Sequence, residues 1–320
     1  MKHKAYENED FQSMSNDESS MAGYYNSEIV PYLKGISVAC ESGLYEIIIM
    51  VMGEHMSKTE FLLNRAGYVI SSRSEPIAFV FPNKGAAESF SKKRLNKMIQ
   101  NVPELKNIYN KRKSTVTDKY FNDSSIELLW CTSNGILLGS GYLKDAYIDD
   151  LDLCPKSIPK VGGDPVTLLR TKGVTCPDFL LIATSTPTAE DSPIVNWWNN
   201  GTKFKFHWTC PFCNKEFFPH SDYLKWSENK PSEAFLECPF CSSSIQEMHK
   251  QDLNKNGVYR TEYTEEQIKD MKIGSYWISG LCSPWRSFGQ MAEELHDAKQ
   301  SKNQKKIKEV LNKSFGEYIV

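Results

Sequence analysis

No apolar run in this 320-residue chain approaches the roughly 20 residues that a helix needs to cross a bilayer. The opening stretch, MKHKAYENEDFQSMSNDESS, also lacks the apolar core of a secretory signal. These absences predict a soluble, cytoplasmic chain with no membrane partner. An excess of charge of one sign is missing too. With 38 Lys and Arg against 40 Asp and Glu, the overall field selects no partner, and only local clusters can. Nor do the nine cysteines form the framework of a small secreted domain. Four sit in two CPFC pairs, and Cys40, Cys131, Cys154, Cys176 and Cys282 are scattered singly, mostly beside apolar residues, which predicts buried packing for each.

What is present is enough chain for a sizeable core plus a smaller appendage. Residues 1–24 are polar and acidic, too hydrophilic to bury a core, and are expected to be a disordered tail. Over 25–200, short apolar runs alternate with helical stretches, the pattern of an α/β fold with a mainly parallel sheet between helices. Strands are predicted at 46–52, 77–81, 126–131, 145–149 and 179–184. Helices are predicted over Lys58–Ile70, with Phe61, Leu62, Leu63 and Ala66 at helical spacing, and over Gly85–Ile99. Residues 201–250 break the rhythm and read as a small inserted module. In 251–320 the pattern returns, with strand character over Ile273–Leu281 and a capping box that opens a helix at Ser287 and Gln290.

The apolar run Ile47–Met52 leads into GEHMSKTE, with Lys58 and Thr59 where a helix begins. A strand, loop and helix of this kind cradles a triphosphate on backbone N–H groups, with lysine at the β- and γ-phosphates and a hydroxyl on magnesium. Gly53 aligns near the usual first glycine, but Ser57 stands where the last one is expected. A plain strand-turn-helix with a surface lysine is the alternative. Ninety residues on, AYIDDLD ends a short apolar strand on Asp149 and Asp150, which predicts Asp149 on the metal and Asp150 on the attacking water. A solvated acidic turn is the alternative there. In FLLIATSTPT, Ser185 and Thr186 end a strand where they could sense the γ-phosphate, or the segment is a strand terminator closed by Pro187.

Cys210, Cys213, Cys238 and Cys241 supply four thiolates, with 24 residues between the pairs, at the spacing of a structural zinc ribbon. A redox pair or free thiols, or a ligand from His207, His220 or His249, are the alternatives. Lys203, Lys205, Phe206, Trp208, Phe217, Phe218, Lys225 and Trp226 mix cations with aromatics around the pairs, either as a nucleic-acid surface or as the packing of a small core. Basic clusters at Lys92, Lys93, Arg94 and Lys97 with Lys111, Arg112 and Lys113 could bind phosphate backbones. A second run, Lys299 to Lys308, reads as a solvated helix face.

In order, PYLKGI, SKTEFLLN, IAFVFPNKGAAESFSKKRLNKMI, AYIDDLD, GGDPVTLLR, LLIATSTPT, the CPFC pairs and NKSFGE resemble the large subunit of phage terminase, of the lambda A-protein type. The resemblance implies a P-loop NTPase three-layer sandwich with an additional strand and an inserted zinc ribbon. It further implies ATP, Mg2+ and structural Zn2+, and a motor that drives viral double-stranded DNA into procapsids in the bacterial cytoplasm. A terminase small subunit, a portal and a homo-oligomeric docked state are the implied partners. By position, Lys58 and Thr59 match the phosphate-binding motif, Asp149 the metal-binding aspartate, and Ser185 and Thr186 the coupling segment.

The chain departs from that pattern at Ser57, at the early loop position usually basic (Met52, Gly53, Glu54 and His55 here), and at Asp150, where the family has the longer glutamate. A base misplaced by about 1 Å can cost roughly a hundredfold in rate. The nuclease domain of the family is expected to be absent, with no nuclease activity. These departures leave open a degenerate prophage remnant that binds nucleotide or DNA without effective turnover, and a zinc-ribbon transcription or repair factor. Arg170 and Arg286 are available as arginines acting in trans.

Overall fold

The computed structural model describes Ser13–Met14, Gly23–Tyr24 and residues 27–132, 142–228 and 230–319. Most of the expected tail lies outside them. Its two described pieces pair as an antiparallel ladder of two residues each, far below what holds together alone in water. Among the described residues, no helix is long and apolar enough to cross a membrane.

The chain forms two compact units. One contains Ser37–Ile49 and Ser57–Thr184, the other Ser27–Ile36, Met50–Met56 and Ser185–Val320. The strands are β1 (Ile47–Met52), β2 (Ile77–Phe81), β3 (Asp118–Tyr120), β4 (Ser125–Trp130), β5 (Asp145–Ile148) and β6 (Leu180–Ser185). In the first unit they run in the order β1-β6-β5-β2-β4-β3. The pairs β2/β4, β2/β5 and β5/β6 are parallel, and β3 against β4 is antiparallel. The fold is therefore α/β with a mainly parallel sheet. Every residue of β1, β2, β5 and β6 is buried, which is why β1 and β2 appear in the sequence as unbroken apolar runs and β5 and β6 depart from one only at their ends, at Asp145 and at Thr184 and Ser185. Phe79 anchors this core, its ring 5.0 Å from both Phe90 and Tyr147.

Helix α1 (Lys58–Tyr68) follows β1 and continues into a wider turn over Val69–Arg73. The helix expected over Gly85–Ile99 is present and runs without a break from α2 (Lys84–Phe90) through a wider turn over Ser91–Leu95 to Asn101. Asn83 caps its start through a bond from Ala86 N (3.0 Å), and Pro103 limits its end, because a residue before proline is driven to extended backbone. Helix α3 (Pro165–Gly173) starts with Pro165 after Asp164, whose carboxylate accepts from Val166 N and Thr167 N.

In the second unit, β7 (Phe204–Thr209) pairs antiparallel with β8 (Glu216–Phe217) and with the later β12 (Val258–Arg260), and parallel with β13 (Ile273–Ile278). A separate antiparallel sheet contains β9 (Leu224–Ser227), β10 (Lys230–Glu237) and β11 (Ser244–Ile245). Helices α4 (Phe288–Gln300) and α5 (Gln304–Val310) follow. The expected capping box is present at α4: Gln290 N donates to Ser287 Oγ (3.1 Å) and Ser287 N to Gln290 Oε1 (2.9 Å). Phe206, Trp208 and Phe217 are buried. For these three aromatics, then, the packing alternative applies.

Candidate functional site

Parallel strands leave their carboxyl ends as the place where loops, helix N-termini and strand-end side chains converge. In the first unit that edge carries Ser57, Lys58 and Thr59 at the start of α1, Asp149 and Asp150 after β5, and Thr184 near the end of β6. The register pairs Ile148 with Ala183, so Asp149 and Thr184 fall side by side. Thr184 Oγ1 donates to Asp149 Oδ1 (3.0 Å), and Thr59 Oγ1 donates to Asp149 Oδ2 (2.7 Å). Both carboxylate oxygens of a buried aspartate are thus engaged by hydroxyls from two other elements. Lys58, the residue before Thr59, is itself buried, 8% exposed. Hydroxyl and carboxylate oxygens at this separation are the hard donor set that magnesium takes.

Two of the left-handed non-glycine residues lie at this edge. Ser57 has φ 62° and Asp150 φ 58°, both left-handed. Glycine adopts that region without cost, whereas an L-residue pays about 1 kcal/mol, Asp and Asn being the better tolerated exceptions. At Asp150 the turn is closed by Leu153 N donating to Asp150 O (3.0 Å). Gly53, Ser185 and Thr186 belong to the second unit. There Ser185, 2% exposed, ends β6 and donates through its hydroxyl to Thr186 O (3.1 Å). Thr184 was passed over in the sequence. It lies in the same TSTPT segment, but only the β5/β6 register distinguishes it from its neighbours.

Beneath this edge, Arg65 on α1 is 7% exposed and bonds Asp145, at the start of β5, through Nε (2.7 Å). It also pairs with Glu41, while Tyr147 Oη donates to Asp145 Oδ2 (2.8 Å). Burial would pull the Arg65 guanidinium down, yet Asp145 and the neighbouring Cys40, Tyr147 and Glu41 hold it well above its usual range. Of the two candidate arginines for action in trans, Arg170 is half exposed and paired with Glu46, whereas Arg286 is only 13% exposed and paired with Glu294.

In the second unit the sulfur atoms of Cys210, Cys213, Cys238 and Cys241 lie within 4.8 Å of one another. The Cys210–Cys241 and Cys213–Cys238 separations are both 3.8 Å. That is about the edge of a tetrahedron whose metal–sulfur bonds are about 2.3 Å, and far longer than a disulfide. The two CPFC turns are built alike. Asn214 N donates to Cys210 O (3.0 Å) and Ser242 N to Cys238 O (2.9 Å), with Asn214 and Ser242 both left-handed. Burial pushes the Cys210 thiol up to about 12, whereas hydrogen bonding with Ser243 brings Cys241 down to about 6. The donor set fits zinc, which would offset the repulsion among four thiolates. No histidine joins this group among the described residues. His249 accepts from Gln246 N instead (3.0 Å). The five single cysteines are all buried, as their apolar neighbours predict.

Residues 19–259 match the family described as phage terminase large subunit gpA, ATPase domain. The terminase large subunit of Enterobacteria phage P21 is 25% identical over 325 residues, covering 91% of this chain and 49% of its own length. That of Escherichia phage lambda is 24% identical over 323 residues, with the same coverage. The chain thus spans about half the length of the curated relatives it matches. The crystal structure of the bacteriophage HK97 large terminase is similar with a TM-score of 0.58 at 12% identity, covering 97% of this chain and 53% of that one, a likeness of fold. Since the family match extends over more than half of its length, the chain belongs to the phage terminase large subunit gpA ATPase-domain family.

Proposed function

We propose that this chain is the ATP-hydrolysing motor part of a phage terminase large subunit. The carrying observation is the Thr59–Asp149 contact of 2.7 Å at the carboxyl edge of a parallel sheet. In this reading residues 53–59 form a P-loop. Lys58 neutralises the β- and γ-phosphates, and the positive end of the α1 dipole faces them. Thr59 and Asp149 would hold magnesium, which supplies charge neutralisation on the phosphates when bound. Asp150 orients the attacking water, and Thr184, Ser185 and Thr186 relay the change of charge to surfaces that grip double-stranded DNA. The core is assigned to 25–200 and 251–320, and 201–250 to an inserted ribbon in which Cys210, Cys213, Cys238 and Cys241 hold structural zinc. DNA cleavage is assigned to none of these residues.

The partners that follow are viral double-stranded DNA, a terminase small subunit, a portal on the procapsid and further copies of this chain, in the cytoplasm of a bacterial host. The intact set of Lys58, Thr59 and Asp149 speaks against a remnant without turnover. Magnesium-dependent ATP hydrolysis by the purified chain, with and without linear duplex DNA, tests the proposal. DNA-stimulated turnover that is lost in Lys58→Ala is expected. Turnover no greater than in that variant would instead favour a binding module.

The metal assignment makes its own prediction. The purified chain should carry roughly one zinc ion, and a strong chelator should unfold the 210–241 region selectively, since binding of this kind is worth on the order of 10 kcal/mol. Elemental analysis and amide exchange with and without chelator would check it. An unchanged exchange pattern after complete metal removal would contradict a structural role.

A further inference from the structure

We infer that the segment Asn312–Glu317 is a positioning element that clamps the start of the loop after β1 and ties it to the cysteine module through Glu317. The inference rests on the reading of that loop as a phosphate-binding one.

After α5 the chain makes a wide turn over Leu311–Phe315 and reverses at Gly316, φ 69°. Glu54 N donates to Lys313 O (2.6 Å). The approach is backbone on backbone. A Cβ on Gly53 would sit 2.9 Å from Lys313 O, one on Gly316 would sit 2.6 Å from Gly53 N, and one on Gly280 only 1.9 Å from Ser314 O. Three glycines from separate stretches of the chain are therefore required at one crossing, because no side chain fits there. A second hold comes from Ser283 Oγ, which donates to His55 O (3.0 Å). The Glu54 N–H is thereby committed to Lys313 O, so the clamp fixes the path of the loop at its start.

The same segment is anchored at its far end. Glu317, 7% exposed, accepts from Ser221 N (2.8 Å) and from the Ser221 hydroxyl, with His220 Nε2 3.4 Å away. Ser221 lies between the two CPFC pairs. Asn312 Nδ2 donates to Glu317 O (3.0 Å) and to Pro187 O, and Trp277 Nε1 donates to Gly316 O (2.9 Å). One buried carboxylate thus connects the cysteine module to a turn whose other side holds Gly53 and Glu54.

The test uses the full chain with Glu317→Ala and, as a milder change that keeps the backbone bond to the carboxylate, Ser221→Ala. Amide exchange of residues 53–56 is read without nucleotide, and KM and kcat for ATP are read alongside. In Glu317→Ala, exchange at Glu54 is expected to rise roughly tenfold and KM to rise by a similar factor, with kcat changed less than about twofold. Ser221→Ala should show the same pattern at smaller amplitude. Normal loop exchange and KM in both variants would overturn the inference, as would a rise spread evenly over the whole chain. If exchange rises only in the loop while the wild-type chain neither binds nor hydrolyses ATP, the clamp stands and the nucleotide reading falls.

Discussion

Asp149→Asn is expected to lower magnesium-dependent ATP turnover roughly a thousandfold, because a bound cation supplies several kcal/mol of charge stabilisation and each 1.36 kcal/mol is a factor of ten. The amide keeps the shape of the carboxylate, so the Thr59 and Thr184 hydroxyls still meet an oxygen or nitrogen at 2.7–3.0 Å. It does not keep the negative charge a cation needs. Turnover and thermal stability should therefore separate, with the first collapsing and the second changing little. A parallel measurement on Asp150→Glu reads the neighbouring role. A large gain in turnover would mean that the shorter carboxylate misplaces its water, whereas no change would remove Asp150 from the catalytic position. Asp149→Asn turnover within tenfold of wild type would defeat the assignment of Asp149 to the metal.

The second large effect is on stability. Arg65→Met is expected to cost about 3–5 kcal/mol, since it strands the buried Asp145 carboxylate. Asp145 is fully buried, and the Tyr147 hydroxyl bonds the same carboxylate oxygen, Oδ2, that Arg65 holds. Glu41 loses one of two arginines and keeps Arg73. Urea unfolding monitored by fluorescence gives the shift in midpoint. The double variant Arg65→Met with Asp145→Asn should recover a substantial part of the loss, because the penalty arises from an uncompensated charge rather than from the missing pair itself. If Arg65→Met alone unfolds at the wild-type midpoint, the ion cluster contributes nothing to stability.

Much of the fold could be read along the chain. The strands expected at 77–81 and 145–149 lie at 77–81 and 145–148, because buried parallel strands need no polar alternation. The capping box at Ser287 and Gln290 was equally legible, since a cap is satisfied by residues three apart. The two CPFC turns are local as well, and their sulfur atoms meet. The helix expected over Gly85–Ile99 shows the limit. Its apolar spacing continues through Leu95 and Ile99, yet the backbone widens over Ser91–Leu95, where Ser91 Oγ reaches Val116 O (2.5 Å), 25 positions away. Tertiary bonding overrides a local repeat at that point.

Of the candidate site, Lys58, Thr59 and Asp149 were evident from residue type and spacing, but Thr184 was not. Its role depends on β6 lying beside β5 with Ile148 opposite Ala183, and strand order is decided by which buried surfaces fit, not by any window of sequence. The same holds for Asn312–Glu317, whose contact with Gly53 spans most of the chain. The sequence by itself determined the local elements, the caps, the cysteine turns and the candidate residues for a phosphate or a cation, because each depends on neighbours a few positions apart. Only the tertiary structure decided the order β1-β6-β5-β2-β4-β3, the two hydroxyls that orient Asp149 and the backbone clamp on Glu54. These arise where distant segments pack, and close packing selects partners by shape and by the need to satisfy every buried polar group.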